Sequence, residues 1–194
     1  MSFVDNTKIV GWAFFIIGII MVISALLQFV DAFDYEDTMD IVGVIIGAIG
    51  ALIAAVIYFL YGNKVRVGEI DGKMHILTSY VSVVGYATVI SALFSAIGGI
   101  LCEALSFWDA VISFIFGLVL LWVAKKMGDD KQETIDKIIW ILLLIIFIVL
   151  FILALCGILD GGWLNIIASI CYAIVYIFMI AYILDNDVKK AMGM

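Results

Sequence analysis

The chain contains no proline, where ordinary usage of about 5% predicts roughly ten in a sequence of 194 residues. Proline-broken helices and proline-dependent pore motifs are thereby excluded, although glycine could still interrupt a helix. Charge is scarce as well: Asp, Glu, Lys and Arg together make up 14% of the residues, and there is one histidine. Against that stand a 66% hydrophobic content and a mean hydropathy of +1.28. A globular surface needs far more polar residues than this to cover its core, so a soluble domain is excluded and residues 1–194 read as one integral membrane domain. Cysteine is limited to Cys102, Cys156 and Cys171, with no CxxC pair. Such cysteines mostly serve as small apolar packing residues. A bridge between Cys102 and Cys156 stays geometrically open, since both fall near helix ends on the same side.

What the sequence has instead is six long apolar segments: Ile9 to Val30, Ile41 to Tyr61, Ile76 to Leu101, Phe107 to Ala124, Ile138 to Ile158 and Trp163 to Leu184. Each is long enough as a helix to cross about 30 Å of hydrocarbon. Lys8 precedes the first run and no small-residue cleavage site ends it, so this segment is expected to remain as a helix. The fold class expected is all-α, a polytopic six-helix bundle. All ten Lys and Arg then fall on one side, in the N-terminus, the second and fourth loops and the C-terminus. The other side carries Asp31, Asp34, Glu36, Asp37, Asp40, Glu103, Asp109 and Asp160. By the positive-inside rule, both termini are expected in the cytoplasm and the acidic side outside, in a cell (cytoplasmic or inner) membrane. The acidity is a sided surface and does not mark a nucleic-acid partner.

The odd segments echo one another. Val22, Ile23, Ser24, Ala25 and Leu26 recur identically as Val89, Ile90, Ser91, Ala92 and Leu93, and Phe151 to Leu155 keeps the Ile, Ala and Leu. The even segments echo in spacing, with Phe107, Trp108, Asp109 and Ser113 answering Trp163, Leu164, Asn165 and Ser169. Together with three short acidic turns and longer basic loops, this reads as three tandem helical hairpins. Parallel copies differ from the inverted repeats of many transporters.

Local chemistry supports the turns. Ser106 with Asp109 forms a capping box, Asp37 and Thr38 can cap the second helix, and Asp160 the sixth. Gly62 and Asn63 suit a left-handed stop, and the stretch Val67 to Ile76 reads as an irregular loop in preference to a β-hairpin. Asp129, Asp130 and Glu133 read as the first turn of the fifth helix, which is expected to begin before the membrane.

Gly43, Gly47, Ala51 and Ala55 recur every four residues, with Gly50 and Ala54 widening the stripe. One face of the second helix is thus nearly flush with its backbone, suited to packing inside the monomer or to a subunit contact. The fifth helix has no small residue from Ile138 to Leu153 and is expected to face lipid.

Hydroxyls concentrate in the third helix, at Thr78, Ser79, Ser82, Thr88, Ser91 and Ser95. Most such groups can return to a carbonyl of their own helix. Asn165, Ser169, Tyr172 and Tyr176 share a face of the sixth helix, and Gln28 lies near the acidic end of the first. A solute site, if present, belongs on Gln28, Thr88, Ser91, Ser95, Asn165, Ser169, Tyr172 and Tyr176, and would suit a neutral or amphipathic ligand. Trp12, Trp122 and Trp140 at one side and Trp108 and Trp163 at the other read as interfacial anchors. His75 reads as a loop histidine. The clustered acids lack the EF-hand glycine spacing and read as caps and solvated groups. Val84, Gly85 and Tyr86 lack the flanking residues of a potassium filter. No ionisable residue falls at the bilayer centre, and no serine or cysteine has an adjacent base, so the chain is expected not to be an enzyme, with no cofactor and no metal.

Phe15, Ile16, Ile17, Gly18 and Ile19, followed by Ile41 to Leu52 with Gly43, Gly47 and Gly50, resemble one hairpin of the HdeD-type acid-resistance membrane proteins. The resemblance covers the chain as topology and implies a structural or stress-related role. It carries over no functional residue, and the prolines usual near that family's outer turns are missing. A second expectation is a small-solute binding or transport subunit, similar in size and helix count to the substrate-binding components of energy-coupling-factor transporters, with Ala51 and Ala55 as a docking pair. A third is a homo-oligomeric channel. The partners implied are the lipid bilayer and, beyond it, a second copy or another membrane protein.

Overall fold

The computed structural model describes residues 6–102, 105–129, 133–159 and 162–194. It is all-helical, with no strand among the described residues. The main helices are α1 (Thr7–Asp31), α2 (Thr38–Val67), α3 (Lys73–Leu101), α4 (Phe107–Met127), α5 (Thr134–Gly157) and α6 (Trp163–Ile183). A short α7 (Asn186–Ala191) follows, and a 3₁₀ turn, Ala32–Asp34, closes α1. Six helices are long and apolar enough to cross a membrane. The chain is an integral membrane protein.

Most helices reach past their apolar runs because polar flanks cap them. Asp37 accepts from the Met39 amide at 2.7 Å, and Ser106 from the Asp109 amide at 3.3 Å, both as the sequence requires. Asp160 lies outside the described residues. At the start of α5, Glu133 is the N-cap and its amide donates to Asp136 Oδ2 at 2.7 Å. Thus Glu133 precedes the first turn, whereas Asp129 sits on the preceding turn, paired with Lys126 at 2.9 Å. Asp130 is outside the described residues.

The expected stop at Gly62 and Asn63 is corrected: α2 continues to Val67 and ends at Gly68, whose φ of 82° is the left-handed conformation glycine adopts readily. Gly62 instead lets α1 in. A Cβ there would fall on the backbone of Phe14 and Phe15, and one on Gly18 would lie 2.5 Å from Phe59 Cα. Gly11 opposes Val65 and Arg66 in the same way, so α1 and α2 run antiparallel with their backbones almost in contact. At the basic end Arg66 stacks over Trp12 and Phe15, 4.6 and 4.8 Å from the ring centres, and its Nη2 donates to Asn63 at 2.7 Å.

Two further crossings follow the same rule. Gly43 meets Gly98 and Cys102, and Gly50 meets Phe94, bringing α2 onto α3; Gly85 meets Leu121 and Gly117 meets Val89, bringing α4 onto α3. Cys102, Cys156 and Cys171 are all free thiols.

The last pair is built differently. Rather than facing lipid all round, α5 buries Ile139, Trp140, Leu143, Phe147 and Ala154 and leaves Ile138, Ile141, Ile145 and Leu153 exposed. Where every side is apolar, shape decides which stripe is buried, and here it is the one bearing Trp140 and Phe147. Trp140 is therefore no interfacial anchor: its indole donates to the Ile183 carbonyl at 2.7 Å. Rings from five helices join at the centre, running Tyr61, Phe14, Tyr80, Phe147, Tyr176 and Tyr172, with neighbouring centroids 4.9–6.5 Å apart. Tyr61 donates to the Ile76 carbonyl at 2.9 Å. This bond satisfies a phenol that would otherwise be stranded in an apolar interior.

Candidate binding cleft

Thr88, Ser91, Ala92 and Ser95 follow the i, i+3, i+4, i+7 spacing of one helical face. On α3 this face lies between the side taken by α2, at Phe94 and Gly98, and the side taken by α4, at Gly85 and Val89. Because glycines draw both neighbours onto α3, the face between them becomes the floor of a cleft of about 550 Å³. Met21 of α1 with Ala54 and Tyr58 of α2 form one wall, and Ser106, Asp109 and Ser113 the other. A second cleft of about 370 Å³ shares Ser91, Ser95 and Leu105 and continues to Gln28, Asp31 and Gly47.

The floor runs inward from the acidic end. Thr88 is thirteen residues from Leu101, the last of α3, about 20 Å along the helix at 1.5 Å per residue. Five hydroxyls, those of Thr88, Ser91, Ser95, Ser106 and Ser113, therefore line a path from the water-facing carboxylate of Asp109 toward mid-membrane.

The sequence-derived site residues divide. Thr88, Ser91 and Ser95 meet in the larger cleft, and Gln28 joins the last two in the smaller one. The residues of α6 are elsewhere. Tyr176 is buried in the aromatic centre with Tyr172 stacked on it, 6.0 Å between centroids. Ser169 points at Gly157 between α5 and α6, and Asn165 is exposed. Tyr172 and Tyr176 line neither cleft. Of the packing set, Gly43, Gly50 and Ala55 are buried, while Gly47 and Ala51 line the smaller cleft.

Reading the sequence alone misses the α4 wall and Tyr58. Ser106, Asp109 and Ser113 stand at i, i+3 and i+7, which already places them on one face. The cap explains Ser106 and the Asp109 amide; Asp109, in the first turn where a carboxylate opposes the helix dipole, also lines the cleft.

At the basic end, Lys73 Nζ pairs with Asp185 at 2.6 Å and ties α3 to the start of α7, whose Val188 is buried. That contact holds Asp185 below its usual carboxylate range, chiefly through the hydrogen bond from Lys73 and then through the Asp187 amide. His75 is exposed beside it, lining clefts with Met74, Asp129 and Asp187. Among the described residues, no three His, Cys, Asp or Glu side chains gather as metal ligands would. No protein-family model, curated protein or solved structure matches the chain.

Proposed function

We propose that this protein binds a small molecule within the membrane, in the hydroxyl-lined cleft of α3, entering from the acidic side. One observation carries the reading: polar side chains from α3 and α4 face a shared space of about 550 Å³. Single hydroxyls can return to a carbonyl of their own helix, but several gathered with a carboxylate on one concave surface take the usual form of a ligand site. The role is recognition, without catalysis. In the same proposal the six helices are three tandem hairpins, both termini are cytoplasmic and the cleft opens outward.

A structural or stress-related role, as the HdeD-type resemblance implies, is the second reading. The glycine-to-backbone contacts of α1 with α2 favour it, because they suit a rigid scaffold. The channel and docking-subunit readings relied on the small-residue stripe of α2 as an intermolecular surface; Gly43 and Gly50 are already occupied by α3.

Native mass spectrometry of the protein extracted gently from its own membrane tests the binding reading. A small-molecule adduct is expected on the parent and should be missing from Ser91→Trp, which fills the cleft. A parent free of adduct, with Ser95→Cys inaccessible to small thiol reagents, would overturn it.

A further inference from the structure

Resting on that binding reading, we infer that the ligand is an organic cation with a short apolar body, its charge held at Asp109. The distribution of charge carries this. Asp109 is the formally charged side chain on the larger cleft and Asp31 on the smaller; no Lys, Arg or His is among the described residues lining either. Every Lys and Arg among the described residues belongs to the other end of the helices. An anion entering here would meet like charge and no compensating cation, a combination that rejects as effectively as a clash.

Position separates head from body. Asp109 is exposed in the first turn of α4, at the water end of the cleft, and the hydroxyls of Ser113, Ser91 and Thr88 lie deeper. Hydroxyls donate and accept but do not neutralise, so the ligand's charge belongs at the carboxylate and its uncharged part beyond. Met21 and Ala54 wall that space, and Ala87, Ala92 and Ala110 line it among the hydroxyls, which suits an amphipathic body. From Ser95 to Thr88 the floor extends about 10 Å, room for a short chain or a single ring. A bare metal ion fits poorly: magnesium and calcium take six or more oxygens at about 2.0–2.6 Å, and this cleft is wide with one carboxylate.

Three probes with one tail test it: octylammonium, 1-octanol and octanoate, titrated calorimetrically into phosphatidylcholine nanodiscs holding the full chain, with empty nanodiscs subtracted. Saturable binding of octylammonium is expected, weakened about fivefold to tenfold in Asp109→Asn, the range for losing one partly screened charged contact. Asp34→Asn, an exposed acid that lines neither cleft, should leave it unchanged. Added salt should weaken octylammonium binding to the parent, which keeps the test decisive even where Asp109→Asn folds poorly. Octanol binding as tightly as octylammonium, with no salt dependence, would overturn the cationic class and leave the cleft as a neutral binding site. Equal losses in Asp34→Asn and Asp109→Asn would assign the effect to surface charge and overturn it as well. If none of the three probes binds, both this inference and the binding reading fall.

Discussion

Gly18 and Gly85 occupy the same place in two successive helix pairs. Each stands four residues before the string Val-Ile-Ser-Ala-Leu, and each meets the next helix: Gly18 at Phe59, Gly85 at Leu121. Ala25 and Ala92, inside the two strings, are both buried. On α5 Ala154 is buried in the same register, but the position of the glycine holds Phe147, itself buried. The proposal of tandem hairpins draws on this shared register as well as on the five matched letters. The register also accounts for the looser α5–α6 pair, where a ring stands in place of a gap.

Gly18→Leu and Gly62→Leu should each lower stability by about 1–3 kcal/mol or more, the cost of overpacking a fitted contact. Both glycines face backbone that cannot step aside. Gly47→Ala should be nearly neutral, since its new Cβ would meet the flexible tip of Leu105 at 3.0 Å. Thermal melts in detergent distinguish them; three equal melts would refute the crossing geometry.

Trp140→Phe should cost about 1–3 kcal/mol, because the Ile183 carbonyl belongs to the last turn of α6, which has no intrahelical donor, and would lose its buried partner. Hydrogen exchange should show the gain in opening concentrated at the end of α6. Protection unchanged there would mean that another donor takes over.

The Lys73–Asp185 contact sets a pH dependence. With its folded pKa depressed, Asp185 contributes stability that is fully present above the ordinary aspartate value of about 4 and is lost as pH falls through the lower folded value. Asp185→Asn keeps a side chain able to cap α7 at the Asp187 amide but removes the charge. The parent should therefore melt above the variant at pH 7, and the two should converge in acid. A gap that persists in acid would assign the difference to the cap.

Sidedness is open to cysteine labelling. In a background free of Cys102, Cys156 and Cys171, Asp34→Cys should react with an impermeant maleimide in intact cells, and Asp187→Cys only after the membrane is opened. The reverse pattern would invert the topology and move the cleft mouth to the cytoplasm.

The helices were legible because length and hydropathy set them, and the α3 half of the cleft because hydroxyls stand out in an apolar segment. What stayed hidden depended on neighbours. Gly62 looks like a helix stop, since the same residue that tolerates a left-handed turn also admits a second backbone, and the local sequence does not say which. Trp140 looks like an anchor until the Ile183 carbonyl is placed beside it. Tyr172 and Tyr176 share a polar-looking face, yet a phenol is mostly ring, and the ring found the aromatic centre first. Asp109 had a cap nearby to account for it, which concealed the cleft wall.

Phe147 in the place of a glycine also bears on how the molecule is assembled. The first two helix pairs close through glycines that let each helix seat directly on its partner. The third has a ring at the matching place, and Phe147 lies between Tyr80 of α3 and Tyr176 of α6. The fit of the final pair is thus keyed to a helix that precedes it in the chain.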